Sequence, residues 1–93
     1  MLTSFRDLEP LQRQALLEKL ALTLQRNASW AADEGDDALE MALRSVGTAI
    51  LSAAGELSTD GLEFAEDVAA KALGLITTFH LRHPAYPLGP TLH

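Results

Sequence analysis

The chain has 93 residues, of which 47% are hydrophobic and 5% aromatic, with no cysteine and a formal net charge of -6. The lack of cysteine excludes a disulfide framework, a thiolate metal site and a thiol nucleophile. Nucleic acid is not an expected partner, since phosphate binding requires a basic stripe and the basic residues here are scattered. No apolar run reaches the roughly 20 residues of a membrane span, so we expect one cytoplasmic domain and no membrane partner.

The composition favours helices, because leucine and alanine lose little conformational freedom on entering one. The spacing of apolar residues predicts three helices, at about 8–32, 37–57 and 60–83, and an extended proline-rich tail at 84–93. Short turns between them predict an all-α, up-down-up three-helix bundle. The candidate helix caps are Asp7, then Asp36 or Asp37, then Asp60 with Glu63.

The first helix carries two apolar stripes, which predicts two sets of neighbours. The broader stripe consists of Leu16, Leu17, Leu20, Ala21, Leu24, Ala28 and Ala31. A second stripe, on the other side, consists of Leu8, Leu11, Ala15 and Leu22. The third helix is conventionally amphipathic, and its predicted apolar half consists of Phe64, Ala65, Val68, Ala69, Ala72, Leu75, Ile76 and Phe79.

Charge is distributed unevenly, since residues 33–67 hold ten acidic residues against Arg44 alone. In an up-down-up bundle the acidic turn at 33–40 lies near the basic end of the third helix, at His80, Arg82 and His83. The acidic segment 56–66 likewise lies near Arg6 and Arg13. Opposed charges at both ends favour this topology.

The second helix is unusual, because residues 45–55 contain no charged side chain. One edge of its apolar face is small (Ala38, Ala42, Ala49, Ala53) and the adjoining edge is large (Leu39, Leu43, Val46, Ile50, Leu57). Glycine at 47 and 55 destabilises a helix by up to about 1 kcal/mol each relative to alanine. Close approach by another backbone would explain them, whereas a solvated arc that merely tolerates glycine is the simpler alternative.

The first functional hypothesis is a non-catalytic, self-associating interaction module or adaptor, whose bundle is completed by homodimerisation. We expect its interface at Met41, Ser45, Gly47, Thr48, Ala49, Leu51, Ser52 and Gly55. The alternative is an acidic inhibitor, antitoxin or immunity-type protein that covers a basic partner surface with Asp33, Glu34, Asp36, Asp37 and Glu63. A third hypothesis is a regulatory bundle in which the alanine edge leaves a cavity for a small apolar ligand.

Catalytic and metal-binding motifs give little support to other functions. His80 and His83 have a spacing that suits zinc, but no further ligands are evident, and interaction with the acidic turn is the favoured interpretation. The carboxylates of residues 33–37 lack the spacing of a calcium loop. No nucleophile elbow or phosphate-binding loop occurs, so we expect neither an enzyme nor a cofactor.

Overall fold

The computed structural model describes residues 5–87. In this range a short 3₁₀-helix, Phe5–Asp7, precedes three α-helices: α1 (Pro10–Asp33), α2 (Asp37–Leu57) and α3 (Leu62–Arg82). The described range contains no strand, and the three helices pack together, which confirms the predicted all-α bundle. Over the same residues, no helix is both long and apolar enough to cross a bilayer. Residues 88–93 of the predicted tail lie outside the described range.

Helix α1 begins at Pro10, two residues later than the sequence pattern indicated. The Gln12 side-chain Oε1 accepts a hydrogen bond from the Glu9 backbone N–H at 2.9 Å. Glu9, and not the predicted Asp7, is therefore the N-cap residue. Pro10 suits the first helical position, where a backbone N–H would have no partner within the helix.

The turn between α1 and α2 depends on Gly35, which has a φ of 75°. This left-handed conformation lets the Asp36 N–H donate to the Ala31 carbonyl at 2.9 Å, and the Gly35 N–H to the Ala32 carbonyl at 3.0 Å. The pair of bonds is the Schellman arrangement that satisfies the last carbonyls of a helix. Helix α2 starts directly afterwards, so its axis folds back beside α1.

The turn between α2 and α3 ends at Gly61, which has a φ of 63° and is the N-cap residue of α3. The predicted cap at Asp60 with a capping box to Glu63 is therefore replaced by a glycine cap. Glycine adopts this left-handed backbone conformation without the steric penalty that a side chain would add. The consequence is a start of α3 at Leu62, two residues later than expected.

The core lies along one face of each helix, and its closest helix contact joins α1 to α2. Gly47 is buried there: a Cβ atom added to it would lie 3.1 Å from the Ala21 carbonyl oxygen and 3.2 Å from the Leu24 Cβ. The rest of the core consists of leucine, isoleucine and alanine side chains and one aromatic ring, that of Phe79. Its buried members are Leu17, Leu20, Ala21, Leu24, Ala28, Ala31, Leu39, Leu43, Ile50, Ala54, Ala72 and Phe79.

At the end of the bundle where α1 begins, polar contacts join α1 to the turn between α2 and α3. The buried Arg13 donates from Nε to the Ser58 carbonyl at 2.6 Å. Arg6 forms an ion pair with Glu66 at 3.0 Å. These contacts agree with the charge distribution that favoured an up-down-up order.

At the opposite end of the bundle, the acidic turn between α1 and α2 contacts the basic end of α3, as the sequence indicated. Asp36 pairs with Arg82 at 3.3 Å and with His83 Nε2 at 3.0 Å. The chain after α3 then packs back on the bundle, because the Tyr86 ring stacks on Trp30 with centroids 4.9 Å apart. The Tyr86 hydroxyl donates to Glu34 at 2.8 Å. The first residues of the tail are thus docked.

Candidate interaction surface

The outer face of α2 is formed by six of the eight positions predicted to lie in an interface. We use the term outer face for these six residues, all of which are exposed in the single chain: Met41, Ser45, Thr48, Ala49, Ser52 and Gly55. Met41 has 71% of its surface exposed. An open depression of about 500 Å³ lies along the N-terminal half of the outer face. Beside it, Glu40 and Arg44 form an ion pair at 3.0 Å. This end of the face is therefore partly charged.

Gly47 does not belong to the outer face, which corrects its predicted place in an interface with another chain. The close backbone approach that its lack of a side chain suggested does occur, but the neighbour is α1 of the same chain. Gly55 differs, because nothing lies within 4 Å of a Cβ added there. The two glycines thus have different roles, one in packing and one on the surface.

Leu51 is exposed as well and lies at the edge of the outer face. It lies one helical turn after Gly47, so it projects from the flank of α2 that adjoins α1. Its surface is 43% exposed. Of the eight predicted interface positions, Gly47 is internal, Leu51 is exposed at the edge next to α1, and the other six form the outer face.

An apolar groove of about 440 Å³ runs between α2 and α3. On α2 it includes both later alanines of the small edge, so the outer face and the groove meet at Ala49. The full lining is Val46, Ala49, Ile50, Ala53, Leu57, Phe64, Asp67, Val68 and Lys71. The groove begins at Leu57 and Phe64, next to the turn, and ends at Val46 and Lys71.

Phe64 is the largest apolar side chain of the groove, and 63% of its surface is exposed. The sequence pattern assigned it to the core face of α3, together with Phe79, which is fully buried. The signal that could have separated them is Lys71, seven residues after Phe64 and therefore on nearly the same side of the helix. A lysine on that line marks the edge of the buried face.

Asp67 and Lys71 are the charged residues that line the groove, and they lie one turn apart on α3. Both are exposed. Within residues 5–87 neither forms an ion pair within 4.0 Å. The groove therefore carries one negative and one positive charge that have no partner among the described residues.

The five acidic residues of the alternative hypothesis are not equally free. Asp36 is paired with Arg82 and His83, and the hydrogen bond from His83 holds the pKa of Asp36 below its ordinary value. Glu34 accepts a hydrogen bond from Tyr86 and thereby raises the pKa of the tyrosine hydroxyl. The other three are exposed and lie outside the ion pairs of the described range: Asp33, Asp37 and Glu63.

The two histidines of α3 and its end have different surroundings. His83 binds Asp36, as the sequence suggested, whereas both ring nitrogens of His80 are buried without a partner in the described range. Burial lowers the pKa of His80, and the positive charge of Arg26 lowers it further. Within residues 5–87, no three histidine or acidic side chains come together as a metal site would require.

Comparison with known proteins adds no assignment to this geometry. No family model and no curated protein matches the sequence, and no solved structure matches the fold. The feature that bears on function is therefore the surface formed by the outer face of α2 and the α2–α3 groove.

Proposed function

We propose that this chain is a non-catalytic helical interaction module that associates with a second copy of itself. The observation that carries the proposal is the apolar α2–α3 groove, which is continuous at Ala49 with the outer face of α2, whose six defining residues carry no charge. Burial of an exposed apolar surface is the main driving force for association. A two-fold dimer is the commonest way for a small chain to cover such a surface.

Several other features support the same proposal. A chain of 93 residues has a modest core, so additional burial between copies stabilises it. The groove is lined by alkyl and aromatic side chains apart from one acid and one base, which suits packing more than catalysis. A cytoplasmic location, which we also propose, suits a chain without cysteine.

The test is the mass in solution, measured by sedimentation equilibrium from about 1 to about 100 µM, a range that brackets micromolar dissociation constants. We expect a mass near twice the 10.0 kDa of one chain at the upper concentrations. Ala49→Glu puts a charge into the proposed contact, and it should give monomers with unchanged helix content because Ala49 is exposed. Gly47→Glu is unsuitable as a probe, since Gly47 packs against α1.

Leu22→Glu is the matched control, because it adds the same charge to an exposed apolar position on α1. We expect it to dimerise as the wild-type chain does. If Leu22→Glu dissociated the protein and Ala49→Glu did not, association would run through the second stripe of α1. A mass of one chain at about 100 µM would refute self-association in this affinity range.

A small apolar ligand in the same groove is the second candidate function. The volume of about 440 Å³ lies within the range of small-molecule sites, and two alanines of the small edge line it. Native mass spectrometry of the purified protein tests this candidate, since a co-purified molecule would add a fixed mass to each chain. The acidic-partner alternative has less support, because Asp36 and Glu34 are engaged within the chain.

A further inference from the structure

We infer that the α2–α3 groove is the contact between two copies, which pack with their α3 helices antiparallel about a two-fold axis. The inference rests on the proposed self-association and specifies its surface, its symmetry and the side chains that meet. The groove is the apolar part of the proposed surface and carries two unpaired charges, whereas the charges beside the depression on the outer face, on Glu40 and Arg44, already pair with each other.

The two charges of the groove are arranged so that the surface complements itself. A two-fold axis that crosses α3 midway between Asp67 and Lys71 brings Asp67 of each copy opposite Lys71 of the other. Both ion pairs then form at once, because a two-fold contact repeats every interaction. A partner with one sign of charge would attract one of these residues and repel the other, so a second copy fits the rim better.

The position of Phe64 fits the same axis. Phe64 lies about five residues from the midpoint of Asp67 and Lys71, which corresponds to roughly 7.5 Å along a helix. The axis therefore carries Phe64 of one copy to the opposite end of the other copy's groove, near Val46. That end is lined by an apolar residue and by the stem of Lys71. Each exposed aromatic ring thus enters an apolar groove instead of meeting its own image.

The length of the helix pair sets the size of the contact that it can make. A helix of 21 residues, the length of both α2 and α3, is about 31 Å long. Two helices about 10 Å apart present a face of roughly 600 Å² in projection, and standard interfaces bury about 800 Å² of accessible surface per partner. The dimer core is then a four-helix layer made from two copies of the α2–α3 pair.

Charge exchange tests the pairing directly. Asp67→Lys and Lys71→Asp, each alone, place like charges opposite one another and should each raise the dimer dissociation constant about tenfold or more. The double variant Asp67→Lys with Lys71→Asp restores opposite charges across the axis, so it should dimerise nearly as well as the wild-type chain. Failure of the double variant to recover affinity would overturn the antiparallel pairing.

Truncation of the aromatic ring tests the groove. Phe64→Ala should raise the dissociation constant about thirtyfold per site, or about a thousandfold for a dimer that contains the site twice. Leu73→Ala is the control, since Leu73 is exposed and lies nine residues after Phe64, half a turn around α3, and its truncation should leave the constant within about threefold. Circular dichroism at a concentration where all variants are monomeric checks that helix content is unchanged.

The outcomes separate this inference from the proposed function. A wild-type chain that stays monomeric refutes both. A wild-type dimer that tolerates Phe64→Ala and both single charge variants refutes the groove contact and leaves self-association in place. A monomer that carries a fixed extra mass in native mass spectrometry would assign the groove to a small apolar molecule and overturn the second copy as its occupant.

Discussion

Replacing Gly47 by alanine should destabilise the bundle even though alanine is the better helix former. The helical propensity gained is about 1 kcal/mol. Against this gain, the new Cβ would lie 3.1 Å from the Ala21 carbonyl oxygen and 3.2 Å from both Gln25 Cγ and Leu24 Cβ. Two rigid neighbours, one of them backbone, must move, and overpacking of this kind costs about 1–3 kcal/mol. We expect a net loss of about 1 kcal/mol in the free energy of unfolding.

The matched control is Gly55→Ala on the same helix, where the added Cβ meets nothing within 4 Å. It should raise the free energy of unfolding by about 0.5–1 kcal/mol through helix propensity alone. Urea denaturation followed by far-ultraviolet circular dichroism measures both, at two protein concentrations so that any effect of association is seen separately. A Gly47→Ala variant as stable as Gly55→Ala would refute the close α1–α2 contact.

Three further variants probe contacts at the two ends of the bundle. The wild-type chain should lose stability as the pH falls below about 6.5, because the pKa of half-buried His80 is lower in the folded chain than in the unfolded one, so that protonation favours unfolding. Equilibrium unfolding from about pH 7 to about pH 5 should then give a flatter profile for His80→Gln. Arg13→Met removes a charged, buried hydrogen-bond donor, so it should lower the free energy of unfolding, measured in urea, by about 2 kcal/mol. The control Arg44→Met breaks an exposed ion pair and should lower it by under about 0.5 kcal/mol. Tyr86→Ala should shift the emission of Trp30 to longer wavelength, because the stacked ring that shields the indole is removed.

Most of the fold follows from periodicity and turn chemistry. The broader stripe of α1 and the large edge of α2 contain most of the buried residues of these helices, whereas the second stripe of α1 is exposed at Leu11 and Leu22 and does not meet a second set of neighbours within the chain. Gly35 marks the turn where a left-handed residue was needed. The opposed charges identified which ends meet, as the Arg6–Glu66 and Asp36–Arg82 pairs show. Apolar spacing and turn glycines are local features, and the charge pairing depends only on the order of the helices, so all three can be identified from the sequence.

The candidate surface was harder to predict, because it depends on how far each helix is rotated toward its neighbours. A rotation of about one residue, or 100°, moves a side chain from a core to a rim. The sequence indicated that Gly47 meets a backbone, but it could not distinguish α1 from a second copy. It likewise grouped Phe64 with the buried Phe79, and the groove emerged only once α2 and α3 were seen side by side.

The three-residue connection between α1 and α2 also bears on how the chain acquires its structure. Closing a short loop loses little entropy, and the two helices that it joins meet at Gly47, with eight buried residues in α1 against three in α3. Folding is therefore expected to start in this N-terminal hairpin, with α3 docking onto a surface that already exists. Since most contacts are then local in sequence, refolding should fall in the microsecond-to-millisecond regime of helical bundles.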